Sequence, residues 1–158
     1  MKKKEPFKGI LTSLGLKAEP RQIPLNETVF LMEPDQIADA VRALLDAGWW
    51  HLTAITALSD ESHIELLYHF WMHGGLTLRV QLPAGSPQII SITPMIPGAA
   101  FYEREVQELF GVSFTGLTHT EALFLADDWE GNAPMGVQSN KPPDGQAKQG
   151  RARRPDKP

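Results

Sequence analysis

Residues 63–73 alternate with the period of a β-strand. Ile64, Leu66, Tyr68, Phe70 and Met72 fall on one face, and His63, Glu65, Leu67, His69, Trp71 and His73 on the other. Gly74-Gly75 signals a turn, and Leu76, Leu78, Val80 and Leu82 then alternate with Thr77, Arg79 and Gln81, so the pair reads as a β-hairpin. A two-residue Gly-Gly turn would set apolar against polar positions along the ladder. A three-residue loop, His73-Gly74-Gly75, pairs Met72 with Leu76, Phe70 with Leu78 and Tyr68 with Val80, matching the faces and predicting a glycine bulge.

Upstream, Thr28–Met32 is a short apolar strand. Pro34 suits a first helical turn, and Asp35 sits well beside the positive end of the helix. Ile37, Val41, Leu44 and Leu45 share one helical face, and Gly48 stops the helix. Trp49–Leu58 is apolar on both parities and predicts a strand buried on both faces. Gln88–Ile92 reads as a further strand, and Pro94 and Pro97 end regular structure. Ala99–Phe110 predicts a helix: Tyr102, Val106, Leu109 and Phe110 on one face, Glu103, Arg104, Gln107 and Glu108 opposite, Gly111 at its end. The result is an α+β fold: a mostly antiparallel sheet, two main helices packed against it, and an extended C-terminal segment.

The chain divides into an N-terminal extension (1–26, with a short helix near Gly9–Leu16), a core (27–116), an extended docking segment (117–136) and a disordered basic tail (137–158). The tail is rich in Pro, Gly, Gln and charge, too polar to offset its ordering entropy.

The net charge of −4 hides an asymmetry. Residues 1–8 carry four Lys and one Glu, and residues 137–158 six Lys or Arg and two Asp. The body between therefore holds −11, the −4 less the +3 and +4 of the ends. An acidic body argues against nucleic-acid binding. The absence of cysteine excludes a disulfide framework, a Cys-ligated zinc site and a Cys-ligated iron–sulfur cluster in this chain, and fits a reducing compartment. No apolar run approaches the ~20 residues that span a bilayer, and no secretory signal is expected. The expectation is a soluble chain, or one peripheral to a membrane through a partner.

The candidate chemistry is thin. His63, His69 and His73 share a strand face with Glu65, but residues i and i+4 along a strand stand about 13 Å apart, too far to share one metal ion. Glu103 and Glu105 point about 200° apart on a helix, which does not make a carboxylate pair. Asp127, Asp128 and Glu130 surround Trp129 before Gly131, without the spacing of a calcium loop. No nucleophile–base pair, phosphate loop or dinucleotide motif accompanies them. No catalytic, cofactor-binding or metal residue is therefore assigned.

One string carries more. Ala99-Ala100-Phe101-Tyr102-Glu103-Arg104-Glu105-Val106 runs into Glu108-Leu109-Phe110-Gly111-Val112, then Phe114-Thr115-Gly116, and closes with Asp127-Asp128-Trp129-Glu130-Gly131. Over about residues 28–135 the chain resembles the 30 kDa subunit of NADH-quinone oxidoreductase, respiratory complex I. That family repeats aromatic-Tyr-Glu-Arg-Glu, Phe-Gly, Phe-x-Gly and Asp-Asp-Trp-Glu-Gly at this spacing. Related subunits occur in membrane-bound energy-converting hydrogenases.

The resemblance implies a non-catalytic subunit at the cytoplasmic face of the cell membrane, peripheral and without a cofactor of its own. Iron–sulfur clusters, flavin or nickel-iron would belong to partner subunits. The implied partners are a large subunit homologous to the nickel-iron hydrogenase large subunit, a cluster-bearing small subunit and, indirectly, the membrane module. The implied docking residues are Tyr102, Glu103, Arg104, Glu105, Glu108, Phe110, Gly111, Asp127, Asp128, Trp129, Glu130 and Gly131. The chain also departs from the family. Where the family continues His-Pro-Asp-Leu-Arg-Arg, it has Leu117, Thr118, His119, Thr120, Glu121 and Ala122. Where the family has His-Pro-Leu-Arg-Lys-Asp, it has Asn132, Ala133, Pro134, Met135, Gly136 and Val137. Two basic clusters are lost, which leaves three readings open: part of a quinone reductase, the equivalent part of a hydrogenase, or a stand-alone binding domain.

Overall fold

A computed structural model describes residues 6–15, 17–23, 27–72, 74–118, 121–126 and 128–137. Of the tail assigned to 137–158 all but Val137 lies outside them, as do His73 and Asp127. The elements are α1 (Pro6–Ser13), β1 (Lys17–Ile23), β2 (Glu27–Met32), a 3₁₀ turn (Pro34–Gln36) running into α2 (Ile37–Asp46), β3 (Leu52–Ser59), β4 (His63–Trp71), β5 (Gly75–Pro83), β6 (Gln88–Ile90), α3 (Ala99–Phe110) and β7 (Ser113–Thr115).

Five strands form one sheet in the order β1-β2-β5-β4-β3. Three junctions are antiparallel, and β2 and β5 pair in parallel. The even-numbered positions of β4 and β5, Ile64 to Phe70 and Leu76 to Leu82, are buried. They join Ile37, Ala40, Val41 and Leu44 of α2 and Ala99 and Val106 of α3 in one core. The α+β reading holds, with the helices on one face. Among the described residues no helix covers the other sheet face, which exposes Leu31, Leu58 and Trp71.

Four expectations are corrected. The hairpin pairs Phe70 with Leu76 and Trp71 with Gly75, two residues from the expected register. The loop is therefore residues 72–74, closed by Met72 N–H donating to Gly74 O at 3.1 Å. A two-residue shift keeps parity, so the apolar face is unchanged. Gly75 serves close packing rather than a bulge: a Cβ there would lie 3.0 Å from Glu27 Cγ on parallel β2. Second, the strand expected over Trp49–Leu58 is β3 (Leu52–Ser59), at one edge of the sheet, with only Ile55 and Ala57 buried. Its second apolar face is the open face of the sheet. Third, Gln88–Ile90 leaves the main sheet and pairs in parallel with Ser113–Thr115, with α3 as the crossover that a parallel pair requires. Fourth, residues 6–23, set outside the core by the sequence reading, supply α1 and β1. Leu11 is buried in the core and β1 pairs with β2.

Candidate functional site

Helix α3 positions the motif residues. It ends at Gly111, whose φ of 75° is left-handed and whose N–H donates to Gln107 O at 3.0 Å. Two of its faces hold different polar networks.

The inner face buries Ala99, Glu103 and Val106. Glu103, read from the sequence as part of the polar side of the helix, is fully buried. Its Oε2 accepts from Ser91 Oγ at 2.6 Å and its Oε1 from the Ile92 N–H at 2.7 Å. It thus satisfies the chain just past β6, where the ladder ends. Burial raises its pKa above the usual carboxylate value, against the lowering effect of the Ser91 and Ile92 donors. Burial, and then the Glu103 carboxylate, push Tyr68 upward too. Tyr102 donates to Thr53 O at 2.9 Å. That carbonyl lies where the β3–β4 register slips between Leu52 and Ala54, so the hydroxyl partners an acceptor freed by the irregularity.

The outer face carries Phe101, Arg104 and Glu108 at i, i+3 and i+7. The segment after Gly116 returns across it. Glu108 accepts the N–H of Leu123 at 3.0 Å, of Phe124 at 3.0 Å and of Leu125 at 2.6 Å. Desolvation raises the Glu108 pKa, but the Leu125, Phe124 and Leu123 donors and the Arg104 charge outweigh it and hold the carboxyl below its usual value. Arg104 Nη2 donates to Glu121 O at 2.7 Å. Farther on, Met135 N–H donates to Leu109 O at 2.8 Å, and Ser59 Oγ to Met135 O at 2.7 Å. Gly136 lies so close to the helix end that a Cβ would stand 2.9 Å from Phe110 O.

This clamp presents apolar side chains to solvent: Phe101 and Phe124 are 59% exposed, Met135 53% and Trp129 50%. Trp129 Nε1 donates to Asn132 O at 3.3 Å. Gly131 lies against its ring, where a Cβ would be 2.9 Å from two ring carbons. Asp128 and Glu130 are exposed beside it, and Glu105 is partly exposed. Between α3 and the segment lies a cleft of ≈ 400 Å³ lined by Arg104, Gln107, Glu108, Glu121, Ala122, Leu125, Ala126 and Trp129.

The structure divides the residues that the sequence reading assigned to docking. Glu103, Tyr102, Arg104 and Glu108 are engaged inside the chain, and Phe110 packs partly buried on the core. Phe101, Phe124 and Met135 were missed. Exposed single aromatics in a loop carry no periodic signal, and the acceptor role of Glu108 depends on a segment 15 to 17 residues away.

On the open sheet face, His69 Nδ1 lies 2.8 Å from Thr77 Oγ1, and Thr77 donates to Glu27. Since that hydroxyl proton is engaged, His69 Nδ1 must be the donor to Thr77. Thr56 Oγ1 is 3.1 Å from Nε2. The imidazole thus ties strands β2, β5, β4 and β3 together through hydroxyls and a carboxylate. Arg79 Nε donates to Glu65 at 2.6 Å on the same face.

This fold, a five-stranded sheet with helices on one face, is shared with a chain of a respiratory membrane complex. A chain in the structure of an archaeal respiratory membrane complex, the membrane-bound sulfane sulfur reductase, matches with a TM-score of 0.68 and 26% identity, over 78% of this chain and 76% of that one. Residues 30–141 match the family described as the respiratory-chain NADH dehydrogenase 30 Kd subunit, and the chain belongs to that family. The C subunit of NADH-quinone oxidoreductase from Roseiflexus sp. (strain RS-1) is 30% identical over 121 residues, covering 68% of this chain and 70% of that protein. The C subunit of F(420)H(2) dehydrogenase from Methanosarcina mazei is 31% identical over 90 residues, covering 54% of this chain and 57% of that protein. The chain is thus the 30 kDa-type subunit of a complex-I-like or related membrane complex, and other subunits are its partners. Among the described residues no helix is long and apolar enough to cross a membrane.

Proposed function

We propose that this chain is the cofactor-free, non-catalytic accessory subunit of the hydrophilic arm of a complex-I-like NADH-quinone oxidoreductase. It docks on the large subunit homologous to the nickel-iron hydrogenase large subunit, beside a cluster-bearing small subunit. It meets the membrane module indirectly, at the cytoplasmic face. Its contribution to electron transfer coupled to ion translocation is assembly, with the clusters, flavin or nickel-iron held by partners.

The observation that carries this reading is the clamp. Glu108 holds three successive N–H groups and so ties residues 123–125 to α3. The fixed loop displays Phe124 and Trp129 to solvent. Ordering a segment before binding removes part of the entropic cost of association, and aromatic side chains are the usual anchors of interfaces. The charged motif residues then act as the frame, and the aromatics as the contact.

A second reading has its own support. The relative from an F(420)H(2) dehydrogenase and the neighbour from a sulfane sulfur reductase favour a branch that uses another donor or acceptor, including the equivalent subunit of an energy-converting nickel-iron hydrogenase. Isolation of the tagged chain from its native membrane tests both. Recovery with a hydrogenase-like large subunit supports docking, and nickel in that partner selects the hydrogenase branch. A free monomer contradicts both and supports a stand-alone domain.

A further inference from the structure

We propose that the cleft between α3 and the segment clamped across it is a socket for one basic side chain, lysine or arginine, of the subunit that docks there. This deepens the docking reading above and rests on it. The cleft holds ≈ 400 Å³. Ala122, Leu125 and Ala126 give it apolar walls of the kind that pack against the methylene stem of a long cationic side chain. Trp129 offers an aromatic ring to the cation itself.

The charges decide the sign of the guest. Among the described residues Arg104 is the only cationic side chain lining the cleft; its Nη2 donates to Glu121 O and its charge lies against Glu108, while its buried Nε has no hydrogen-bond partner among the described residues. The Glu108 oxygens are occupied by backbone N–H groups. The Glu121 side chain is exposed, and its carboxylate has no hydrogen-bond partner among the described residues. Asp128 and Glu130 are exposed on either side of Trp129. One positive side chain therefore stands with four carboxylates. An acidic guest would meet repulsion, and an apolar guest would desolvate Glu121 without pairing it. A basic guest pairs with Glu121 in a charge-assisted hydrogen bond and stacks on Trp129.

The test uses the complex isolated from native membranes. Ala122 is replaced by the photoreactive residue p-benzoylphenylalanine, the complex is irradiated, and the cross-linked peptide is sequenced by mass spectrometry. In parallel, recovery of the partner is compared for the parent chain, Glu121→Gln and Glu121→Lys, with thermal melts to show that both variants fold. The expected result is a partner peptide with a Lys or Arg at the cross-link, recovery reduced several-fold by Glu121→Gln, and by about ten-fold or more by Glu121→Lys. A cross-linked partner peptide without a basic residue overturns the proposal. So does a cross-link to this chain's own basic residues 138–158, or full recovery with Glu121→Lys. If the partner co-purifies but cross-links only to a photoreactive residue at Leu58 on the open sheet face, the socket fails and docking survives. If no partner co-purifies with the parent chain, the docking reading itself fails.

Discussion

Glu103 and Glu108 sit on one helix, five positions apart, and their environments push them in opposite directions. Glu103 faces inward, is fully buried, and is raised by desolvation. Glu108 faces outward, where backbone donors and Arg104 overcome desolvation and lower it. The inner carboxylate fixes the fold, holding the chain at Ser91 and Ile92. The outer one fixes a surface, holding residues 123–125. A charged motif on a helix thus need not touch a partner in order to make docking possible.

The largest effect should come from the inner face. Glu103→Ala leaves the Ser91 hydroxyl and the Ile92 N–H buried without their acceptor, and should cost about 3 kcal/mol of global stability in urea unfolding. Glu108→Ala should cost about 1 kcal/mol or less globally. It should, however, strip hydrogen-exchange protection from the amides of Leu123, Phe124 and Leu125. Equal global costs for the two variants would erase the distinction between frame and clamp.

Acid should separate the two sites without mutation. A lowered carboxyl contributes stability above its ordinary value near 4.5 and loses it as pH falls through the lower folded value. A raised one contributes fully below 4.5 and loses that contribution as pH rises through its folded value. Exchange at 123–125 should therefore quicken relative to the intrinsic rate as pH falls below 4.5, while the Ser91–Glu103 contact persists. Simultaneous loss of both would contradict the assignment. The smallest expected effect is that of Gly131→Ala. Its Cβ would crowd the indole of Trp129 at 2.9 Å, and the exposed ring can move aside for less than about 1 kcal/mol. Trp129 fluorescence should shift while the melting temperature hardly changes.

Much of the frame was legible in the sequence. The bounds of α3 follow from its periodicity and from Gly111, and the faces of β4 and β5 from strict alternation. Helical phase placed Glu103 among polar neighbours, and only the tertiary position of Ser91 and Ile92 shows why a carboxylate is buried there. The hairpin register was not legible, because parity alone cannot distinguish shifts of two residues; the contact of Gly75 with Glu27 lies on a strand 48 positions earlier in the chain. The same holds for the socket. Glu121 and Trp129 become neighbours only because Arg104 and Glu108 draw the segment across the helix.

In the proposed docking, the clamped aromatic surface is held by a partner subunit. Quantitative recovery of that partner from native membranes, for the parent chain against Phe124→Ser combined with Trp129→Ser, tests it most directly. The account predicts stoichiometric recovery of a nickel-iron-hydrogenase-like large subunit with the parent chain, and its loss with the double variant at unchanged melting temperature. Undiminished recovery with the double variant would contradict it.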